Sequence, residues 1–224
     1  MASSSPEAGP PTGRLVLVRH GPTEWSETGR HTGTTDVPLT AQGERTAAAL
    51  REPLAALDVG LVLASPLQRA RRTGELAGFT PEIEPDLVEW DYGVHEGRTT
   101  AEIRAELGYP WTVFASVTAH GAPAAETVEE VAARASRVLA RAHPVLAHRD
   151  VLLFGHGHAL RVLAAVHLEE RPRFAAKLLL DAGAVSVLVH EREQPAIREW
   201  NRRYAAVPAP EPAAPAPVPA AHTP

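Results

Sequence analysis

The sequence predicts an α/β fold, a three-layer α/β/α sandwich around a mostly parallel central sheet. Two observations carry that prediction. Short apolar runs of strand length alternate along the 224 residues with longer helical patterns, the order expected of a parallel sheet covered on both faces. Three of the runs, 15–18, 61–64 and 151–154, stop abruptly in polar residues: Arg19-His20, Ser65-Pro66 and Gly155-His156-Gly157-His158. Open α/β sheets place ligand crevices at the carboxyl ends of their strands, so these three endings can converge on one edge.

Residues 1–13 (MASSSPEAGPPTG) are small, polar and proline-rich, the composition of a disordered leader. The domain opens at Arg14 with strand 15–18, closed by Gly21, which frees the backbone, and Pro22, which cannot continue a ladder. Residues 24–38 form a long polar loop, and its place directly after Arg19-His20 points to function. Thr40 is the N-cap of a helix running through Leu50 toward Leu57, bent or divided at Pro53. After strand 61–64, Ser65 caps a helix with Pro66 in its first turn, carrying Gln68, Arg69, Arg71 and Arg72. Residues 82–87 are a short strand leading into EWDYGVHEG, and 99–107 are helical. Residues 108–123 show no clear period and are expected to be an excursion over the site. A long alanine-rich helix spans 125–146, with Glu126, Glu129 and Glu130 near its start, where the helix dipole favours acids. Strand 151–154 leads into a helix bearing Leu160, Val162, Leu163 and Val166, and strands at 184–189 and 197–200 complete the sheet. From residue 207 the chain is an extended Ala-Pro tail. The organisation is therefore one domain, 14–206, between a disordered leader (1–13) and a disordered tail (207–224).

Hydrophobic residues at 44% and charged residues at 22% fit a globular domain. A net charge of -5 argues against a general nucleic-acid binder. Cysteine is absent, which excludes disulfides, thiolate nucleophiles and cysteine-ligated metals. No apolar run approaches a membrane span and no signal pattern opens the chain, so the cytoplasm is the expected location.

Arg19, His20, Arg69, Glu89 and His156 together suit phosphoryl transfer. That chemistry needs an in-line nucleophile, positive groups on the equatorial oxygens and an acid for the leaving oxygen. His20 can attack through a neutral ring nitrogen if a backbone carbonyl holds the other one. Arg19 and Arg69 offer planar forks for phosphate oxygens, and His156 a further donor. Glu89 is the acid, provided that its surroundings keep a proton on it.

The motifs RHGPTEW (19–25), GxxTGxxDxPLTxxG (29–43), SPLxRAxxT (65–73), EWDYGxxEG (89–97) and GHGxxxR (155–161) resemble, in order and spacing, those of the histidine phosphatase superfamily. The likeness is to its phosphoglycerate mutase-like branch and covers residues 14–201. In motif the chain is closest to members such as broad-specificity acid phosphatases and sedoheptulose-1,7-bisphosphatase-like enzymes. The resemblance implies a phosphoglycerate mutase-like fold and a metal-independent phosphomonoesterase without cofactor. His20 is then the phosphorylated nucleophile and Glu89 the proton donor, with Arg19, Arg69 and His156 completing the phosphate pocket. Ser26 stands where many members carry asparagine, with a shorter reach to phosphate. His31, Thr32, Gly33, Tyr92, Gly157 and His158 are the implied substrate-facing rim. The implied partner is a small phosphate ester, with no nucleic acid and no membrane, and a homodimer is compatible with it.

A mutase that returns the phosphate to its substrate is the alternative. Mutases carry a basic cluster in a longer insert, whereas between Gly97 and Val128 this chain has only Arg98, Arg104 and His120. The turn glycine usual before the long helix is replaced by Ala125. Other readings compete at single residues. His20 could merely cap the sheet edge, Glu89 could merely pair with an arginine, and Arg71 and Arg72 read as a solvated helix face. His156 and His158 could ligate zinc, but Asp150 lies at the opposite end of the same strand and supplies no third ligand. Trp90 and Tyr92 could be plain core aromatics.

Overall fold

The computed structural model describes residues 11–114 and 125–205. The leader through residue 10, the tail from residue 206 and most of the expected excursion, His120 included, lie outside the described residues. In chain order the elements are β1 (Leu15–Arg19), α1 (Glu24–Glu27), α2 (Ala41–Ala48), α3 (Arg51–Ala55), β2 (Val59–Ala64), α4 (Gln68–Leu76) and β3 (Glu82–Ile83). They continue with α5 (Thr100–Leu107), α6 (Val128–Leu146), β4 (Asp150–Gly155), α7 (Gly157–His167), β5 (Val185–Glu191) and β6 (Gln194–Arg202).

The six strands form one sheet in the order β3-β2-β4-β1-β5-β6. β3, β2, β4 and β1 pair in parallel, and β5 and β6 close the other edge as an antiparallel hairpin. Period-2 alternation sorts the apolar residues onto two faces. Leu15, Leu17, Val151 and Leu153 pack with Ala135, Val138 and Leu146 of α6 and Leu160 and Leu163 of α7. Val16, Val18, Leu152 and Phe154 pack the other way, against Leu50, Leu54 and Ala77. Burying each such large side chain contributes roughly 1.5–3 kcal/mol. A third cluster, with Trp90, Tyr92, Ile103, Trp111, Phe114 and Val131, lies beside the carboxyl ends of the strands. None of the helices among the described residues is long and apolar enough to cross a membrane.

Several boundaries differ from the sequence expectation. The loop 24–38 begins with a one-turn helix, α1, too short for an apolar period to reveal, held by a capping box between Thr23 and Ser26. Thr40 caps α2 as expected, but the division falls at Ala49-Leu50, and Pro53 sits in the first turn of α3, where its missing N–H costs nothing. Leu67, without a side-chain cap, precedes α4, so Ser65 and Pro66 stand outside that helix. The expected strand 82–87 is two residues long, because Pro85 starts a 3-10 turn that Glu84 caps. α6 starts at Val128 behind the capping pair Thr127 and Glu130. Gly21 is not left-handed. A Cβ there would come within 2.5 Å of the Gly43 carbonyl oxygen, so it is glycine because two backbones touch.

Candidate active site

The carboxyl ends of three adjacent parallel strands meet here. Arg19 pairs with Gly155 across β1 and β4, and β2 ends beside them at Ala64-Ser65. The backbone of His20 is fixed on both sides, its N–H donating to Gly155 O (3.0 Å) and its carbonyl accepting from Gly183 N (2.9 Å). The His20 side chain is buried, with Nδ1 2.7 Å from the Gly21 carbonyl. A carbonyl can only accept, so Nδ1 carries the proton and Nε2 keeps its lone pair. Burial, reinforced by the Arg69 and Arg19 charges, pushes the imidazole well below the ordinary histidine range. The ring is thus a neutral base beside two cations.

Arg19 lines a narrow cleft of about 80 Å³ together with His20. Its Nη1 donates to Leu180 O (2.5 Å), while its buried Nε has no partner among the described residues. A Cβ on Gly157 would lie 3.2 Å from the Arg19 guanidinium carbon, so glycine there leaves that fork its place.

Arg69 and His156 are completely buried and bonded to each other. Arg69 Nε–H donates to His156 Nδ1 (3.2 Å), which obliges the neutral ring to carry its proton on Nε2 and donate to Ser65 Oγ (2.7 Å). His156 therefore has no free lone pair for a metal. As placed, it also has no free donor for phosphate, and the ring orients Arg69 instead. The remaining Arg69 donors reach the carbonyls of Thr32, Gly33 and Thr35. The Glu96 carboxylate takes the N–H groups of Gly33 and Thr35, so the same loop is stapled from both sides. Glu96, which with Asp91 is the fallback for the acid role, is instead committed to holding this loop. Ser65→Ala should let the His156 ring rotate and loosen Arg69, lowering kcat on the order of 10-fold with a smaller change in KM. Steady-state kinetics beside Ser65→Thr, which keeps the hydroxyl and should recover most of the loss, check this.

Glu89 is buried at the start of α7, beside His158 but not itself among the residues lining the cleft. Its Oε1 accepts from Trp90 N (2.8 Å) and Ala159 N (2.8 Å), and its Oε2 from His158 N (3.0 Å). A carboxylate that takes two backbone N–H groups of a helix N-terminus is a helix cap as well as a candidate acid. The arginine pairing considered for Glu89 is absent among the described residues. Its neighbour Asp91 is committed to Gly93 N.

The expected rim is only partly a rim. His31, Thr32, Tyr92, Gly157 and His158 line the cleft. Gly33 does not: it packs against the Trp90 carbonyl, where a Cβ would come within 2.5 Å. Ser26 lines the cleft, but its hydroxyl is committed to Thr23, accepting from its N–H (2.8 Å) and donating to its carbonyl (3.0 Å). Arg71 is exposed and Arg72 pairs with Glu44 and Glu75, a solvated face as expected. Tyr92 OH meets His158 Nδ1 at 2.5 Å. Burial holds the Tyr92 phenol well above its ordinary range and His158 well below its own, so the phenol donates and His158 Nε2–H remains a donor. Two cations were missed. Arg161 donates to the carbonyls of Ala175 and Ala176, lies over the Phe114 ring at 4.6 Å, and reaches the cleft. Arg30 enters from the loop after α1. The last residue of GHGxxxR was the available signal for Arg161, and nothing marked Arg30.

Burial lowers His31 to about 4, with His95 adding to it, and burial lowers His167 to about 4, with His190 and His143 adding to it. A depressed histidine pKa means that the unfolded chain takes up protons first. This contribution to stability is complete above pH 6.5 and is lost as pH falls toward 4. The melting temperature should therefore drop across that window; a profile flat from pH 7 to 4.5 contradicts it.

A family model described as histidine phosphatase superfamily (branch 1) matches residues 15–203. An acid phosphatase of Mycobacterium tuberculosis is 44% identical over 170 residues, which is 72% of this chain and 81% of that protein. Sedoheptulose 1,7-bisphosphatase of Saccharomyces cerevisiae is 35% identical over 188 residues, 69% of this chain and 67% of that protein. The solved structure of an open reading frame from Mycobacterium tuberculosis superposes with a TM-score of 0.79 at 34% identity, covering 86% of this chain and 98% of that one.

Proposed function

The chain belongs to the histidine phosphatase superfamily (branch 1), and on that premise we propose that it hydrolyses small organic phosphates through a phosphohistidine on His20. The observation that carries this reading is the His20 ring, held by Gly21 O so that Nε2 keeps a neutral lone pair in a cleft that Arg19 also lines, with the Arg19 Nε lacking a partner among the described residues. Nε2 attacks phosphorus, the bond from phosphorus to the ester oxygen breaks, and Glu89 supplies the proton that makes the departing oxygen an alcohol. Water then attacks the phosphorus and gives a proton to the Glu89 carboxylate, while the bond from phosphorus to Nε2 breaks, returns its electron pair to the ring and releases inorganic phosphate. Arg19 neutralises the equatorial oxygens throughout, with the Arg69 charge behind it.

Arg30 and Arg161 extend the positive wall beyond Arg19, which favours a substrate with a second anionic group. Phosphate release should be measured across sugar monophosphates, sugar bisphosphates and 3-phosphoglycerate. A bisphosphate should show a KM about 10-fold below that of the matching monophosphate, and Arg30→Ala should erase most of that preference. Equal KM values in wild type and variant would reject the second-anion reading. For the mutase alternative, isomerised 3-phosphoglycerate without inorganic phosphate would be the sign. Of the basic residues between Gly97 and Val128, the two among the described residues are spent locally, Arg98 on Glu106 and Arg104 on Trp111 O.

A further inference from the structure

At the opposite end of the sheet a second and larger cavity, about 640 Å³, opens around the amino ends of β1 and β4 and the tip of the β5–β6 hairpin. We propose that it is a second anion site, taking a small molecule that carries two or more phosphate groups. Its volume lies in the range of small-molecule sites, whereas the catalytic cleft encloses only about 80 Å³.

The charges lining the cavity do not cancel locally. Asp150 is consumed by Arg14, whose Nη2 lies 2.6 Å from it, and by the N–H groups of Arg14 and Asp58. Asp58 is in turn 3.0 Å from Arg149. Two further guanidinium groups, Arg192 and Arg198, line the same cavity, are exposed, and have no ion-pair partner among the described residues. His148 and His190 add ring nitrogens. Glu191 and Glu193 flank Arg192 in sequence but do not line the cavity.

The backbone adds a second observation. Arg192 occupies the first loop position of the hairpin, between the paired Glu191 and Gln194, with φ 59. Glycine or asparagine takes that conformation at less cost, so the chain carries a cation where turn chemistry asks for something else. A planar guanidinium binds phosphate oxygens two at a time, and two such forks facing one cavity select a ligand with more than one phosphate. The site is separate from catalysis: Arg14 immediately precedes β1 and Arg19 ends it, five residues on, about 16 Å at the usual rise.

The test uses the full chain with excess orthovanadate occupying the catalytic cleft, and titrates tripolyphosphate by calorimetry at low salt. One equivalent should bind in the presence of vanadate. The double variant Arg192→Ser/Arg198→Ser should weaken that binding at least 10-fold and leave turnover of p-nitrophenyl phosphate within 2-fold. Both residues are exposed, and an unchanged melting temperature confirms that the variant folds. ADP binding with similar affinity would identify a nucleotide as the class of ligand, and tripolyphosphate alone an inorganic polyphosphate. Loss of all binding under vanadate, or equal affinity in the double variant, overturns the proposal.

Discussion

His20→Ala should lower kcat by on the order of 10³-fold or more on every phosphate ester while the protein remains folded. Among the described residues the other histidines of the site are engaged: His156 at both ring nitrogens, His158 Nδ1 with Tyr92 and His31 Nε2 with Thr100 Oγ1. The ring's Nδ1 bond to Gly21 O is its sole hydrogen bond among the described residues, so its removal costs about one buried hydrogen bond plus a cavity, and the core strands stay paired. Brief reaction of wild type with labelled substrate, quenched without acid, should trap phosphate that survives base and is lost in acid. The alanine variant should trap none. Label that survives acid, or that persists in the variant, would move the intermediate to another atom. A variant that instead loses its melting transition but keeps turnover in its folded fraction would make His20 a sheet-edge cap.

Glu89→Gln should cost on the order of 10²–10⁴-fold on an alkyl phosphate and much less in the first step on p-nitrophenyl phosphate. An alkoxide leaves badly without a proton, whereas p-nitrophenolate is already stable. Hydrolysis of the phosphohistidine still needs a base, so the variant should show a burst of p-nitrophenol followed by slow turnover. The structure adds a second effect. Glu89 accepts the N–H groups of His158 and Ala159 at the start of α7 as well as that of Trp90, and an amide NH₂ would face one of those donors. Stability should therefore fall by about 0.5–2 kcal/mol, the usual worth of a helix cap. The two effects separate cleanly, because a cap that only positions α7 would slow both substrates by the same factor with no burst. Equal losses would send the acid role elsewhere, but not to Glu96 or Asp91, which are occupied by Gly33, Thr35 and Gly93.

The parallel core was legible because its strands are buried on both faces and read as unbroken apolar runs, β1 and β4 above all. The antiparallel β5 and β6 were found as strands but not as a hairpin, since Arg192-Glu193 carries none of the usual turn residues. α1 and the 3-10 turn at Pro85 were missed because one turn is too short to show a period. Among site residues, Arg19, His20, Ser65 and His156 were findable because each ends a buried strand, where a polar group is conspicuous. Arg30 sits in a polar loop, where one more arginine carries no signal.

By itself the sequence determined the family, the α/β sheet and the polar residues that end its buried strands, because burial periodicity and motif spacing are local properties of the chain. Only the tertiary structure decided what each of those side chains bonds to. Arg69 donates to carbonyls 34 to 37 residues away and His156 to a serine 91 residues away, pairings that no local pattern encodes. Protonation follows from those partners. A carbonyl at Nδ1 leaves His20 a lone pair at Nε2, while an arginine N–H at Nδ1 of His156 makes that ring a support for Arg69. Two histidines alike in sequence context thus have opposite tautomers, one set by the adjoining Gly21 carbonyl and the other by long-range contacts to Arg69 and Ser65.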